Sequence, residues 1–251
     1  MTKKQEGEKM NEDQVIPALR NNPDAFFRNV SIHVEHERSQ WAGFGGTREI
    51  TVSALQAEHN EVFRFSLKPG HMDCYYYPYI QDVPVPGFAG MVINAGSCLV
   101  PTDAPVGTIV LTGGMNGCAM QVNVTNDSRY LIFLHDRNGK ALDTEAKRKA
   151  VLLYMLNYNV GIDLPDDLDQ PILRIDESVY MQDYNRIVLP GEGDVYVAYF
   201  PITVKTEDHI WKVYMYPLKW KSTDPTGRRI VYDSVRDANG NNLYLEFEFI
   251  A

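Results

Sequence analysis

The chain is short of cysteine, of long apolar runs and of positive charge, and each shortage argues against a class of function. Cys74, Cys98 and Cys118 are its three cysteines in 251 residues. An odd, small number without metal-like spacing argues against a disulfide framework and against a metal site, and implies reduced thiols. No apolar stretch approaches the length that a helix needs to span a bilayer. Lys and Arg total 24 against 33 Asp and Glu, a formal net charge of −9. A nucleic-acid binder usually carries a basic stripe, and this balance also disfavours attraction to anionic membranes. Residues 1–13 are polar and charged, with no apolar signal region. The expectation is a cytoplasmic protein, or one exported into a target cell without a signal peptide. No Gly/Ser-rich or Pro-rich linker and no internal repeat divides the chain. Residues 1–12 read as a disordered tail and residues 13–251 as one domain, expected to be monomeric.

What is present is a succession of strands. Residues 12–20 suit a short helix limited by Pro17. Strands are expected at 30–34, 49–55, 61–67, 90–100 and 107–112. Between them, residues 69–88 hold several prolines and the cluster Tyr75-Tyr76-Tyr77-Pro78-Tyr79, which reads as a long aromatic loop. Asp143 is positioned to cap a helix running to about Asn159, with Gly161 to stop it. Strands return at 186–189, 194–204, 209–220, 229–235 and 243–249. The last alternates Leu243, Leu245, Phe247 and Phe249 with Tyr244, Glu246 and Glu248, and Asn239-Gly240 gives a turn before it. Many antiparallel strands with few helices predict an α+β protein, a β-sandwich with flanking helices.

One hairpin carries the chemistry. Residues 118–124 and 130–135 read as strands, with Thr125-Asn126-Asp127-Ser128 between them. A two-residue turn at Asn126-Asp127 would set Cys118 directly opposite His135 on one face. A thiol beside an imidazole is the minimum equipment of a cysteine nucleophile, and the expectation is a low-pKa thiol that iodoacetamide labels rapidly near neutral pH. Gly113, Gly114, Asn116 and Gly117 precede Cys118. Their backbone N–H groups are candidates for an oxyanion and substrate loop.

The run Thr112-Gly-Gly-Met-Asn-Gly-Cys118, followed by His135 on the next strand, resembles the active-site pattern of the cysteine protein-glutamine deamidases. That group includes the catalytic domains of cytotoxic necrotizing factors, Burkholderia lethal factor and the bacterial chemoreceptor deamidase. Its pattern has a Thr six residues before the Cys, a Gly or Ser-Gly just before the Cys, and a His on the neighbouring strand. Thr112, Gly117, Cys118 and His135 match these elements, while Asn116-Gly117-Cys118 stands where the family has Ser-Gly-Cys or Gly-Ser-Cys. The matching motif covers about residues 107–136. The resemblance implies a β-sandwich flanked by helices and catalytic roles for Cys118, His135 and Thr112. It also implies conversion of a glutamine to glutamate in a target protein of a toxin or effector, without cofactor.

Other constellations are weaker. Cys98 follows Gly96-Ser97, but Val92 stands six residues earlier and no His follows at hairpin distance. Cys74 near His71 has no further ligands. His33 and His36 are three apart on a strand and face opposite ways. His59 and His209 read as surface residues, Gly43-Phe-Gly-Gly46 as a turn, and Asp166, Asp167 and Asp169 as a solvated acidic loop. The main alternative is a non-enzymatic β-sandwich binding module with a buried, slowly labelling Cys118 that uses Tyr75 to Tyr79 as its contact surface.

Overall fold

The computed structural model describes residues 9–35, 45–70, 72–78, 80–137, 142–156, 163–168, 170–183, 195–223 and 230–251. The expected strand at 186–189, the tail up to residue 8, and His36, Gly43, Phe44, His71, Tyr79 and Asp169 lie outside these. Two helices open the fold, α1 (Glu12–Asn21) and α2 (Pro23–Phe27). Asn22 caps α2 by accepting from the backbone N of Ala25 at 3.1 Å, and Pro23 suits the first helical position. Met10 and Glu12 are already engaged: the N–H of Met10 donates to Glu61 Oε1, and Glu12 Oε1 accepts from the N–H of Ala54.

Among the described residues, nine strands follow before the long helix: β1 (Val30–Glu35), β2 (Gly46–Ala54), β3 (Glu61–Lys68), β4 (Cys74–Tyr76), β5 (Ile80–Pro84), β6 (Val92–Pro101), β7 (Ile109–Leu111), β8 (Ala119–Val124) and β9 (Tyr130–Asp136). Helix α3 (Glu145–Leu156) separates them from β10 (Leu173–Ile175), and the one-turn helix α4 (Glu177–Tyr180) follows β10. The chain ends in β11 (Val195–Glu207), β12 (Ile210–Ser222), β13 (Ile230–Ser234) and β14 (Leu245–Ile250).

The strands form two sheets. The larger has the order β1-β3-β2-β4-β7-β11-β12-β13, with β14 also paired to β12; the smaller has the order β10-β8-β9-β6-β5. Pairing is antiparallel except for β1 with β3 and β4 with β7. This is the α+β sandwich that the strand pattern predicts.

Strand β12 shows why the layers form. Trp211, Val213 and Met215 face the small sheet, where they meet Met120, Val122 and Phe133. Tyr214, Tyr216 and Leu218 face the other way, into a core with Ile32, Phe65, Phe200 and the helix residues Leu19 and Phe27. Both faces are buried, so the strand reads as a continuous apolar run rather than an alternation. A third core lies on the outer face of the small sheet, where Ile132 and Leu134 meet Val151 and Leu152 of α3.

Three expectations need correction. Residues 69–88 are not one loop, because they contain β4 and β5, and Tyr75, Tyr76 and Tyr77 are buried. The prolines flank these short strands instead of preventing them. Gly46 opens β2 rather than forming a turn. The cap of α3 is Thr144, whose Oγ1 accepts from the N–H of Lys147, while Asp143 pairs with the Lys147 ammonium. The Asn239-Gly240 turn, the exposed His59 and His209, and the exposed Asp166 and Asp167 are as expected.

His33 on β1 sits among Phe200, Trp220 and Tyr232, with ring centroids 5.3, 6.0 and 5.2 Å away. Burial, with Arg64 adding to it, lowers its pKa from 6.5 to about 4. A depressed folded-state pKa contributes stability that is present above pH 6.5 and lost as pH falls through 4. A shift of this size corresponds to at most about 3 kcal/mol. Urea unfolding at pH 7 and at pH 4 should therefore show a loss of stability in acid that is smaller in His33→Leu. An equal acid loss in both proteins would contradict this.

Candidate active site

The hairpin β8–β9 forms, but in a different register from the one its turn residues suggest. Met120 pairs with His135, Ala119 with Asp136 and Val122 with Phe133. Cys118 is therefore not directly opposite His135. The reason is the loop, which has four residues and not two. The N–H of Thr125 donates to the carbonyl of Tyr130 at 2.9 Å, and the N–H of Ser128 to that of Thr125 at 2.8 Å. Ser128 takes a left-handed conformation, with φ 56°. Asp127 fixes the loop by accepting from the hydroxyl of Thr125 and the N–H of Arg129. The slip is two residues, so the face is conserved. Cys118 and His135 become diagonal neighbours, a relation that spans about 7–8 Å between backbones in an antiparallel pair.

That face is the inner one, towards the large sheet. Thr112 reaches it from the other layer, one residue beyond β7. His135 Nδ1 lies 2.8 Å from Thr112 Oγ1, and both residues are fully buried. Thr112 Oγ1 also lies 2.8 Å from the carbonyl oxygen of Tyr77. A carbonyl can only accept, so the Thr112 hydroxyl donates its one proton there. It must then accept from His135, which puts the imidazole proton on Nδ1 and leaves Nε2 as the basic nitrogen. Tyr77 is itself held, since its N–H donates to the carbonyl of Leu111.

Cys118 is 3% exposed, and its thiol donates to the carbonyl of Arg137 at 2.9 Å. Burial raises its pKa from 9.0 to about 11, against lowering effects from the Asn116 backbone and Arg137. The expected low-pKa thiol is thus corrected: in this state Cys118 is a protonated thiol, because desolvation outweighs both stabilising contacts. Cys74 and Cys98 are more deeply buried and also have raised pKa values.

The glycine loop before Cys118 is pinned on both sides. Met115 and Tyr199 exchange backbone hydrogen bonds of 2.7 and 2.8 Å. A Cβ on Gly114 would stand 2.8 Å from Phe200 Cζ, so a side chain there would have to push the buried Phe200 ring aside. Gly117 has φ +80°, a conformation that favours glycine. Gly113 lies in the same loop, and Asn116 Nδ2 reaches the carbonyl of Val197 at 3.5 Å. Two groups at the site carry no signal in a one-dimensional reading: the Tyr77 carbonyl, and Tyr180, whose hydroxyl donates to the carbonyl of Cys118 at 2.8 Å. Gln121 and Asn123 occupy the opposite face, where they bond each other and Arg174 bonds Gln121.

Glu58, His59 and Asp233 form a surface cluster whose ligand atoms lie within 4.8 Å of one another. Lys221 engages Glu58 at 2.8 Å and His59 engages Asp233 at 2.9 Å. These contacts account for the cluster without a metal ion.

No protein-family model and no curated protein matches the chain. Among solved structures, it is similar to the crystal structure of the C-terminal domain of CNFy from Yersinia pseudotuberculosis. Identity is 11% and the TM-score 0.38, over 96% of this chain and 100% of that one. A TM-score of that size leaves residue-by-residue equivalence undefined.

The state of the thiol gives a measurable profile. With a pKa near 11, the thiolate fraction at pH 7 is about one part in ten thousand. Alkylation of Cys118 by iodoacetamide should be slow at pH 7 and rise steadily to about pH 11. A plateau below pH 8 would contradict the protonated resting state.

Proposed function

We propose that this protein is a cysteine-dependent protein-glutamine deamidase. Cys118 is the nucleophile, His135 the general base and acid, and Thr112 the residue that orients His135. The observation that carries this reading is the one-way hydrogen-bond chain from His135 through Thr112 to the carbonyl of Tyr77, which leaves a basic Nε2 on the face that bears Cys118. A base for Cys118 needs a ring nitrogen that keeps its lone pair, and this hydrogen-bond chain supplies one at Nε2. The resemblance of Thr112, Gly117, Cys118 and His135 to the deamidase pattern supports the same assignment.

The reaction follows from these groups. Cys118 Sγ bonds to the side-chain amide carbon of a glutamine as its proton passes to His135 Nε2. A thiol with a raised pKa is not a preformed thiolate, so proton transfer accompanies attack. In this reading the developing oxyanion is received by backbone N–H groups of the glycine loop around Gly117, the N–H of Met115 being already donated to Tyr199. The proton then moves to the departing nitrogen, the C–N bond breaks, and ammonia leaves a thioester. Water gives a proton to Nε2 as it attacks the thioester, which releases glutamate and restores the thiol. An amine in place of water gives transglutamination. The product carries one more negative charge, enough to alter a contact surface on the target.

The acidic balance of the chain favours a target protein with a neutral or basic surface. None of Thr112, Gly113, Gly114, Asn116, Gly117, Cys118 and His135 is a charged clamp for the α-amino and carboxylate groups of free glutamine, although Asp136, Arg137 and Glu177 lie close by. A protein partner, and not nucleic acid or membrane, is the substrate in this reading, acted on in the cytoplasm or after export into a target cell. The binding-module alternative has its buried Cys118, but three residues of its contact surface, Tyr75, Tyr76 and Tyr77, are buried as well.

Candidate target proteins mixed with the chain should gain about one dalton at one glutamine, as NH₂ is replaced by OH. Cys118→Ala should abolish this, His135→Ala should lower the rate by about 10²–10⁴-fold, and Thr112→Ala should be milder. Full activity in Cys118→Ala would refute the assignment. Comparable ammonia release from free glutamine and from the best protein target would indicate a small-molecule amidase.

A further inference from the structure

The nucleophile lies where the small sheet stops being a sheet. On one side of β8, β10 pairs Leu173 with Val122, Arg174 with Gln121 and Ile175 with Met120. Continued by two residues, that register would bring residue 177 opposite Cys118. The chain does not continue as a strand. Asp176 caps a helix there by accepting from the N–H of Ser178 at 3.0 Å, and α4 begins at Glu177. At the level of Cys118 the backbone partner that β10 would supply is replaced by a side chain. Tyr180, at the end of α4, donates its hydroxyl to the carbonyl of Cys118 at 2.8 Å.

We propose that Tyr180 is a positioning residue for the nucleophile, with its phenol hydroxyl standing in for the missing rung of the sheet and fixing the Cys118 peptide. This rests on Cys118 being the nucleophile of the deamidase reading.

Three observations support the role. Tyr180 is 2% exposed, and its ring packs on Tyr199 with centroids 4.9 Å apart. Tyr199 in turn exchanges both backbone hydrogen bonds with Met115 in the glycine loop. One ring pair thus ties both ends of the segment from Met115 to Cys118. Burial, with Cys118 adding to it once its thiolate forms, raises the phenol pKa well above its usual value. The hydroxyl therefore remains a neutral donor wherever the thiol is titrated. A strand continued past Ile175 would have held the same carbonyl but would have put a backbone where α4 now turns away. The exchange of strand for phenol keeps the peptide fixed and ends the sheet at the residue that must meet the substrate.

The test uses the full chain with Tyr180→Phe, which keeps the ring and removes the donor, and Tyr196→Phe as a control on an exposed tyrosine. Two readouts are followed. The first is the rate of Cys118 alkylation by iodoacetamide between pH 7 and 11, which does not depend on deamidation. The second is kcat and KM for ammonia release from the best protein target. The freed peptide should make Tyr180→Phe alkylate at least about fivefold faster than wild type, while kcat falls about tenfold and KM stays within about twofold. Asp176→Ala, which loosens α4 without touching Cys118, should shift alkylation in the same direction and serves if Tyr180→Phe does not fold. Wild-type alkylation profiles in both variants would overturn the positioning role. A shifted profile in a chain whose wild type deamidates no target would keep the positioning role and remove the enzymatic reading instead.

Discussion

The arrangement depends on one hydroxyl. Thr112 leaves the large sheet at the end of β7 and meets His135 from the small sheet, so its hydrogen bond joins the two layers at a point with no solvent. Burial makes the bond directional. Each buried polar group needs a partner, and the carbonyl of Tyr77 consumes the only proton Thr112 can give. The tautomer of His135 is thereby set by a strand pairing elsewhere, since the amide of Tyr77 is tied to Leu111. A chemical property of one imidazole follows from the parallel contact between β4 and β7.

The resting thiol fits the same frame. Cys118 is held protonated against the carbonyl of Arg137 and buried. Such a thiol resists adventitious oxidation and alkylation, which depend on thiolate. In the deamidase reading, it would act as a nucleophile only when an amide carbon is offered while His135 takes the proton. The two groups that would do this sit on one face, and the backbone that carries the thiol is braced by Met115, Gly114 and Tyr180. In that reading the site would stay inert until a substrate displaced the thiol from the Arg137 carbonyl.

Much of this was legible in the sequence because it depends on periodicity. The alternation in 118–124 and 130–135 put Cys118 and His135 on one face, and it survived a register error because that error was two residues and not one. The error itself was a matter of turn chemistry. Thr125 to Ser128 are compatible with a tight or a wider turn, and the decision lay with the Asp127 carboxylate and its local bonds. Strands β4, β5 and β10 were not legible, since three to five residues among prolines or before a helix cap give no period to read. The partners supplied by Tyr77 and Arg137 are carbonyls, which every residue has, so residue type could not mark them. The thiol's state depends on desolvation, which only the packed fold determines.

The tautomer of His135 tests the central claim most directly. A long-range ¹H–¹⁵N spectrum of the protein labelled at histidine identifies which ring nitrogen carries the proton at neutral pH. The account predicts a proton on Nδ1 and an unprotonated Nε2, with the assignment lost or mixed in Thr112→Val. A proton on Nε2 in the wild-type protein would contradict it, because His135 would then have no lone pair to offer the thiol of Cys118.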